Sequence, residues 1–129
     1  APLGDLATYV AYLTASPPPD PETGRRWAGL LQRNTLEGMW QPVVTTGLST
    51  DGSAAMGLGF FLYRNGADWI VGHTGQQAGF LSYFFFDPAT RSGVIAAINT
   101  WDDAESAGFS RQFGALGLQA RSLLMKPKS

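Results

Sequence analysis

The segment from Gly57 to Asn99 constrains the fold most, because it holds four short runs of strand character joined by connections of only a few residues. Gly57 to Arg64 carries aromatics on both faces, Asn65-Gly66 is a two-residue hairpin signal, and Trp69 to Thr74 is the return strand. Phe80 to Phe86 makes a third strand, Asp87-Pro88 opens a turn, and Val94 to Asn99 makes a fourth. Connections this short leave no room for the crossover that a parallel pair needs, so the segment predicts an antiparallel meander of about four strands. The fourth strand is apolar on both sides, which predicts a place interior to the sheet. Alternation in the third sends Phe84 and Phe86 to one face and Phe85 to the other. That is the pattern of a strand buried on both sides, not of an aromatic association patch.

Helical periodicity flanks the strands. Leu3, Leu6, Val10 and Leu13 recur at spacings of three and four, with Tyr9 beside them, and predict an amphipathic helix over 3–15. The prolines at 17, 18, 19 and 21 stop it and read as an extended surface loop. Residues 24–40 fit one or two short helices broken near Asn34 and closed by Pro42, so 1–42 forms a helical part; Thr45 to Ser53 reads as loop. After Trp101, Asp102 or Asp103 caps a helix with Glu105 reaching back. Phe109, Phe113, Leu116, Ala120 and Leu123 form the stripe of a long C-terminal helix, 102–125, lying on the 57–100 sheet. Gly114 and Gly117 weaken that helix by up to ~1 kcal/mol each unless close packing compensates. Residues 126–129 read as a frayed tail. The fold class is α+β.

With 129 residues the chain fits one domain and buries about two thirds of its unfolded surface. A composition of 44% hydrophobic and 15% charged residues points to a surface that is partly covered. A net charge of −1 without a basic cluster excludes an electrostatic footprint for nucleic acid or anionic membrane. No cysteine means no disulfide framework and no thiolate nucleophile. One histidine with no carboxylates at ligand spacing argues against a metal site, and no cofactor is expected. No apolar run approaches the ~20 residues of a membrane span, and the start lacks the basic residues of a signal peptide. The chain opens at Ala1-Pro2-Leu3 without Met and enters a helical pattern at once, which is the expectation for a natural N-terminus that has been removed.

The only histidine, His73, ends an apolar strand and precedes Gly75. Alternation places Trp69, Val71 and His73 on one face. Gly72 and Gly75 allow close approach of main-chain N–H groups to a ligand, the arrangement from which an oxyanion site is built. On these residues alone a half-buried structural histidine is the expectation.

Gly57-Leu58-Gly59-Phe60, Val71-Gly72-His73-Thr74-Gly75, Gly79-Phe80-Leu81-Ser82-Tyr83, Phe86-Asp87-Pro88 and Gly93-Val94-Ile95-Ala96-Ala97-Ile98-Asn99 follow one another in an order and spacing that resemble the C-terminal part of the serine β-lactamase-like superfamily. The branch most similar is the group of class C β-lactamases, esterases and D-aminopeptidases, related to penicillin-binding proteins. Leu3-Gly4-Asp5-Leu6-Ala7 and Met39-Trp40-Gln41-Pro42 resemble that group as well, so the likeness runs from about residue 3 to 125. It implies a partial β-lactamase/transpeptidase-like fold and a small amide, β-lactam or ester substrate. In such enzymes a serine attacks the carbonyl, a lysine three residues on takes its proton, and the tyrosine of a Tyr-x-Asn motif assists. Carried over by resemblance, His73 is a polar wall of the site, Thr74 and Gly75 line it, and the Gln76 N–H is half of the oxyanion hole. Asn99 falls near a position at the carboxylate end of the pocket. The resemblance is compatible with a periplasmic or secreted setting.

Departures from the pattern shape the expectation. The only lysines are Lys126 and Lys128, and the residues three before them are Leu123 and Met125, so no Ser-x-x-Lys exists here. Tyr63-Arg64-Asn65 matches Tyr-x-Asn in letters alone, because a hairpin turn accounts for its Asn. Gln76-Gln77 replaces the small residues usual after His-Thr-Gly and makes a bulkier wall. The chain is therefore expected to be a C-terminal segment that exposes a sheet edge and apolar patches, is inactive alone, and has the missing part of its domain or a complementary chain as partner. The alternative is a non-catalytic module that keeps the fold for binding or assembly.

Overall fold

The apolar repeat that opens the chain folds as helix α1, Leu3–Leu13, in a computed structural model that describes residues 2–45, 51–77, 79–99 and 106–124. Val10 and Leu13 are its buried anchors, Leu6 is half-buried and Leu3 is exposed. The helix ends before the prolines. The Thr14 hydroxyl donates back to the Val10 carbonyl at 3.0 Å, and Ala15 turns into the left-handed region at φ 55°. Helix α2, Pro21–Ala28, starts three residues earlier than expected. Asp20 caps it by accepting from the Thr23 N–H at 2.9 Å, and Pro21 takes the first helical position, where a missing N–H costs nothing. The break before α3, Arg33–Gly38, lies at residues 29–32, so Asn34 sits inside a helix instead of between two. Arg33 ties α3 to the end of α1 by donating to the Leu13 carbonyl at 2.7 Å.

Five strands follow: β1 Ala54–Met56, β2 Phe61–Asn65, β3 Asp68–Gln77, β4 Phe80–Asp87 and β5 Ser92–Ile98. They form one antiparallel sheet in chain order. The sequence misses β1, because three residues are too few for alternation to register; pairing of Ala54 with Tyr63 and of Met56 with Phe61 is what makes it a strand. Strand β2 begins at Phe61 and not at Gly57, since residues 57–60 turn past α3 with the Leu58 N–H on the Met39 carbonyl at 2.9 Å. The following hairpin loop is Gly66-Ala67, closed by Asn65 and Asp68. Only Gly66 has positive φ, 63°, the pattern of a type II′ turn, so the loop lies one residue later than Asn-Gly implies. Strand β3 runs on to Gln77, which makes Gly75 a strand residue and moves the turn beyond Gln77.

Two apolar layers sandwich the sheet. On one face Val71, Leu62 and Phe86 join Val10, Leu13, Leu36 and Trp40 of the helical part, with Phe84 beside them. On the other, Ile70, Tyr83 and Phe85 pack against Ala120 and Leu124 of helix α4, Ser106–Leu124. The third strand is thus buried on both faces, as its alternation requires. The buried stripe of α4 is Phe113, Gly117, Ala120 and Leu124; Leu116 and Leu123 of the expected stripe face outward, with Leu123 67% exposed. At Gly117 the helix lies over the Tyr83 and Phe85 rings, at a distance where a Cβ would still make ordinary van der Waals contact. Strand β5 is at the edge of the sheet, not interior. Its two-sided apolar pattern reflects α1 on one face and α4 on the other, and faces carry no information about lateral partners. The expected caps Asp102, Asp103 and Glu105 and the tail at 126–129 lie outside the described residues. Among the described residues no helix is long and apolar enough to cross a membrane.

Candidate functional site

Strand β3 positions most of the candidate residues, and its two ends have different surroundings. Gly72 is buried, and a Cβ on it would meet the Phe84 carbonyl at 2.2 Å and the Phe85 ring at 2.4 Å. Its glycine therefore serves packing inside the sheet and brings no main chain toward a ligand. From His73 onward every residue of β3 is exposed. The reason is the register: Gly72 pairs with Phe61, the first residue of β2, so residues 73–77 have β4 on one side and no strand on the other among the described residues.

Which main-chain groups this edge presents follows from antiparallel geometry, in which the N–H and C=O of one residue point to the same neighbour and successive residues alternate. The Arg64 N–H donates to the Ser53 carbonyl at 2.8 Å, on the β1 side, so Tyr63 and Asn65 turn toward β3. Their partners Ile70 and Asp68 turn toward β2, and so do Gly72, Thr74 and Gln76. Thr74 and Gln76 lie beyond Phe61, and their main-chain groups face the open edge. His73, Gly75 and Gln77 are bonded toward β4.

Side chains divide the other way. His73, Gly75 and Gln77 share the face of Val71 and the helical part; Thr74 and Gln76 share the face of Ile70 and α4. The His73 ring stacks on Phe61 with centroids 5.0 Å apart and planes at 25°, so the histidine is exposed and not the half-buried one that its strand context allows. Its cross-strand partner is Phe84, against whose ring Tyr9 of α1 stands edge-on at 5.7 Å. Burial, and then the neighbouring Tyr12, raise the Tyr9 phenol above its ordinary value. On this face a cavity of about 360 Å³ lies between the start of α1 and the ends of β3 and β4, lined by Leu3, Leu6, Gly75, Gln77, Phe80 and Ser82 among others.

The structure brings His73, Thr74, Gly75 and Gln76 together as one exposed stretch. Asn99 stands apart. It follows Ile98, which pairs with Leu81, itself the partner of Gln76, so it is at the same end of the sheet but two strands over, roughly 10 Å from β3. Tyr63 lies against Phe85 on the α4 face, away from His73, and Asn65 is the strand residue that closes the hairpin opposite Asp68. Among the described residues no group of three metal-ligating side chains exists.

Sequence reading left one charged residue unmarked, Arg121. Its signal was its place directly after Ala120 and three before Leu124, on the border of the buried stripe. Its guanidinium lies 3.7 Å over the Tyr63 ring.

An antiparallel sheet in chain order with helices packed on both faces fits a partial β-lactamase-like fold. The family model described as Beta-lactamase matches residues 3–119, and the chain belongs to that family. No curated protein matches the sequence.

Proposed function

We propose that the chain is the C-terminal part of a serine hydrolase domain that cleaves an amide, β-lactam or ester bond through an acyl-enzyme. The open end of β3 carries this reading. A carbonyl placed along that edge meets the Gln76 N–H, which donates to the oxygen as it gains charge, with Thr74 and Gly75 beside it. His73 is the polar wall, an imidazole able to donate to a substrate carboxylate or to a neighbouring hydroxyl. The attacking serine and the lysine that takes its proton come from another segment or chain, since no Ser-x-x-Lys occurs here. The serine oxygen bonds to the carbonyl carbon, the amine or alcohol departs with a proton, and water then releases the acyl group. On this reading residues 1–129 are one unit, and Asn99 lines the far end of the pocket. The outward-facing apolar residues Phe80, Leu116 and Leu123 fit surfaces that the rest of the domain covers.

The second reading, a non-catalytic binding or assembly module, rests on the same missing motif. One experiment tests the first reading alone and a second separates the two. The 129-residue chain alone is expected not to turn over p-nitrophenyl butyrate or a chromogenic β-lactam; turnover abolished by His73→Ala would overturn the segment reading. A longer protein from the same reading frame is expected to be labelled covalently by a fluorophosphonate or a β-lactam, with His73→Ala slowing acylation on the order of 10²-fold. Lack of labelling together with lack of an upstream Ser-x-x-Lys leaves the module.

A further inference from the structure

The opposite face of β3 holds a second feature, independent of the reaction proposed above. Beneath α4 a cavity of about 270 Å³ runs between the helix and the sheet. Its walls are aromatic, from Tyr63, Tyr83, Phe85 and Phe113, and its helix side is opened by Gly114 and Gly117. A Cβ on Gly114 would meet nothing within 4 Å. At one end sits Arg121, its guanidinium 3.7 Å over Tyr63 and 5.4 Å from Phe85. The Arg121 Nε is buried and has no hydrogen-bond partner. The ion pairs of Arg26 with Glu22 and of Arg33 with Glu37 do not involve Arg121.

A guanidinium stacked on aromatic rings keeps its charge and its in-plane donors, because the rings contact only its face. The buried Nε is closed to a ligand, so a partner with acceptor oxygens meets Arg121 where it lines the cavity, at the terminal nitrogens of the guanidinium. The planar, two-oxygen group that matches this fork is a carboxylate. The aromatic walls require that carboxylate to ride on an apolar body, and the space suffices: a cavity of ~150 Å³ already takes a benzene ring. We propose that this cavity binds a small aryl-alkyl carboxylate, with its oxygens on Arg121 and its ring under Gly114 and Gly117. The side chains of Thr74 and Gln76 line the same cavity, so the ligand sits directly behind the strand segment whose main chain faces the open edge.

The probe is 3-phenylpropionate, with 3-phenylpropionamide as its neutral counterpart, titrated into the 129-residue chain and followed by amide chemical shifts and calorimetry. The expected result is saturable binding of the acid that perturbs the amides of residues 74, 76, 114 and 117, with the amide counterpart at least tenfold weaker. Arg121→Met lowers affinity for the acid at least tenfold, Arg121→Lys lowers it less, and Gly114→Leu, which fills the cavity, abolishes binding while circular dichroism stays native. Equal binding of acid and amide, or perturbations confined to other residues, overturns the proposal without depending on how any variant folds. Binding to the 129-residue chain but not to a longer protein from the same reading frame also overturns it, since an acidic side chain of the added segment would then occupy the cavity.

Discussion

Trp69 to Gly72 and His73 to Gln77 are the two halves of one strand, and they share a backbone conformation but almost nothing else. The first half has strands on both sides and apolar layers above and below, with Ile70 and Val71 each at 0% exposure. The second keeps one strand partner and is exposed throughout. The contrast shows how a sheet can present main-chain groups outward without a loop: the buried half fixes direction and twist, and the open half inherits them while remaining reachable.

Three measurements break or sharpen that contrast. The largest effect is expected at Gly72, where a Cβ would lie 2.2 Å from a carbonyl oxygen that cannot move without parting β3 from β4. Gly72→Ala is expected to cost about 3 kcal/mol or more, read as a lowered urea midpoint, and a variant as stable as the parent would remove the packing role assigned to this glycine. Next, Val71→Ala should lose about 2 kcal/mol by leaving a void among Leu62, Phe86 and Trp40, whereas His73→Ala, two residues on and facing the same way, should stay within about 0.5 kcal/mol. Similar losses at the two positions would mean that the open half is as integrated as the buried one. The smallest effect concerns pH. Tyr83 stands opposite Thr74, beneath α4, and burial raises its phenol above its ordinary value. The stability that its neutral form contributes is fully present below about pH 10 and is lost as pH rises through the higher folded value. Urea unfolding between pH 8 and 11 should show that decline, and Tyr83→Phe should flatten it; an unchanged slope would assign the alkaline loss to other groups.

The meander was legible because its signals are local. Alternation in Phe84-Phe85-Phe86 and the glycine after Asn65 determine faces and turns within a few residues, and the structure moved the hairpin by only one. Features that depend on partners were not legible. Strand β1 exists through pairing with β2, the rotation of α4 depends on which rings it packs against, and the edge position of β5 depends on what lies beside it. Pro21 was misread for another reason: proline both ends helices and starts them, and Asp20 with Thr23 decides which. At the candidate site the sequence identified the stretch from His73 to Gln76 and led to the expectation of an exposed sheet edge, while which residues form that edge among the described ones and the unpartnered Nε of Arg121 emerged only in three dimensions. Asn99, carried over by resemblance, lies two strands away because position along a strand says nothing about distance across the sheet.

The outward N–H of Gln76 belongs to its count from the Gly66-Ala67 hairpin and not to glutamine. Any residue with an amide hydrogen would present the same donor there, so side chains at 74 and 76 are free to vary without altering it. Removing one residue between Asp68 and His73 would do what no substitution can. Parity would invert, every outward group would turn inward, and the imidazole would change faces while the composition of the strand stayed nearly the same.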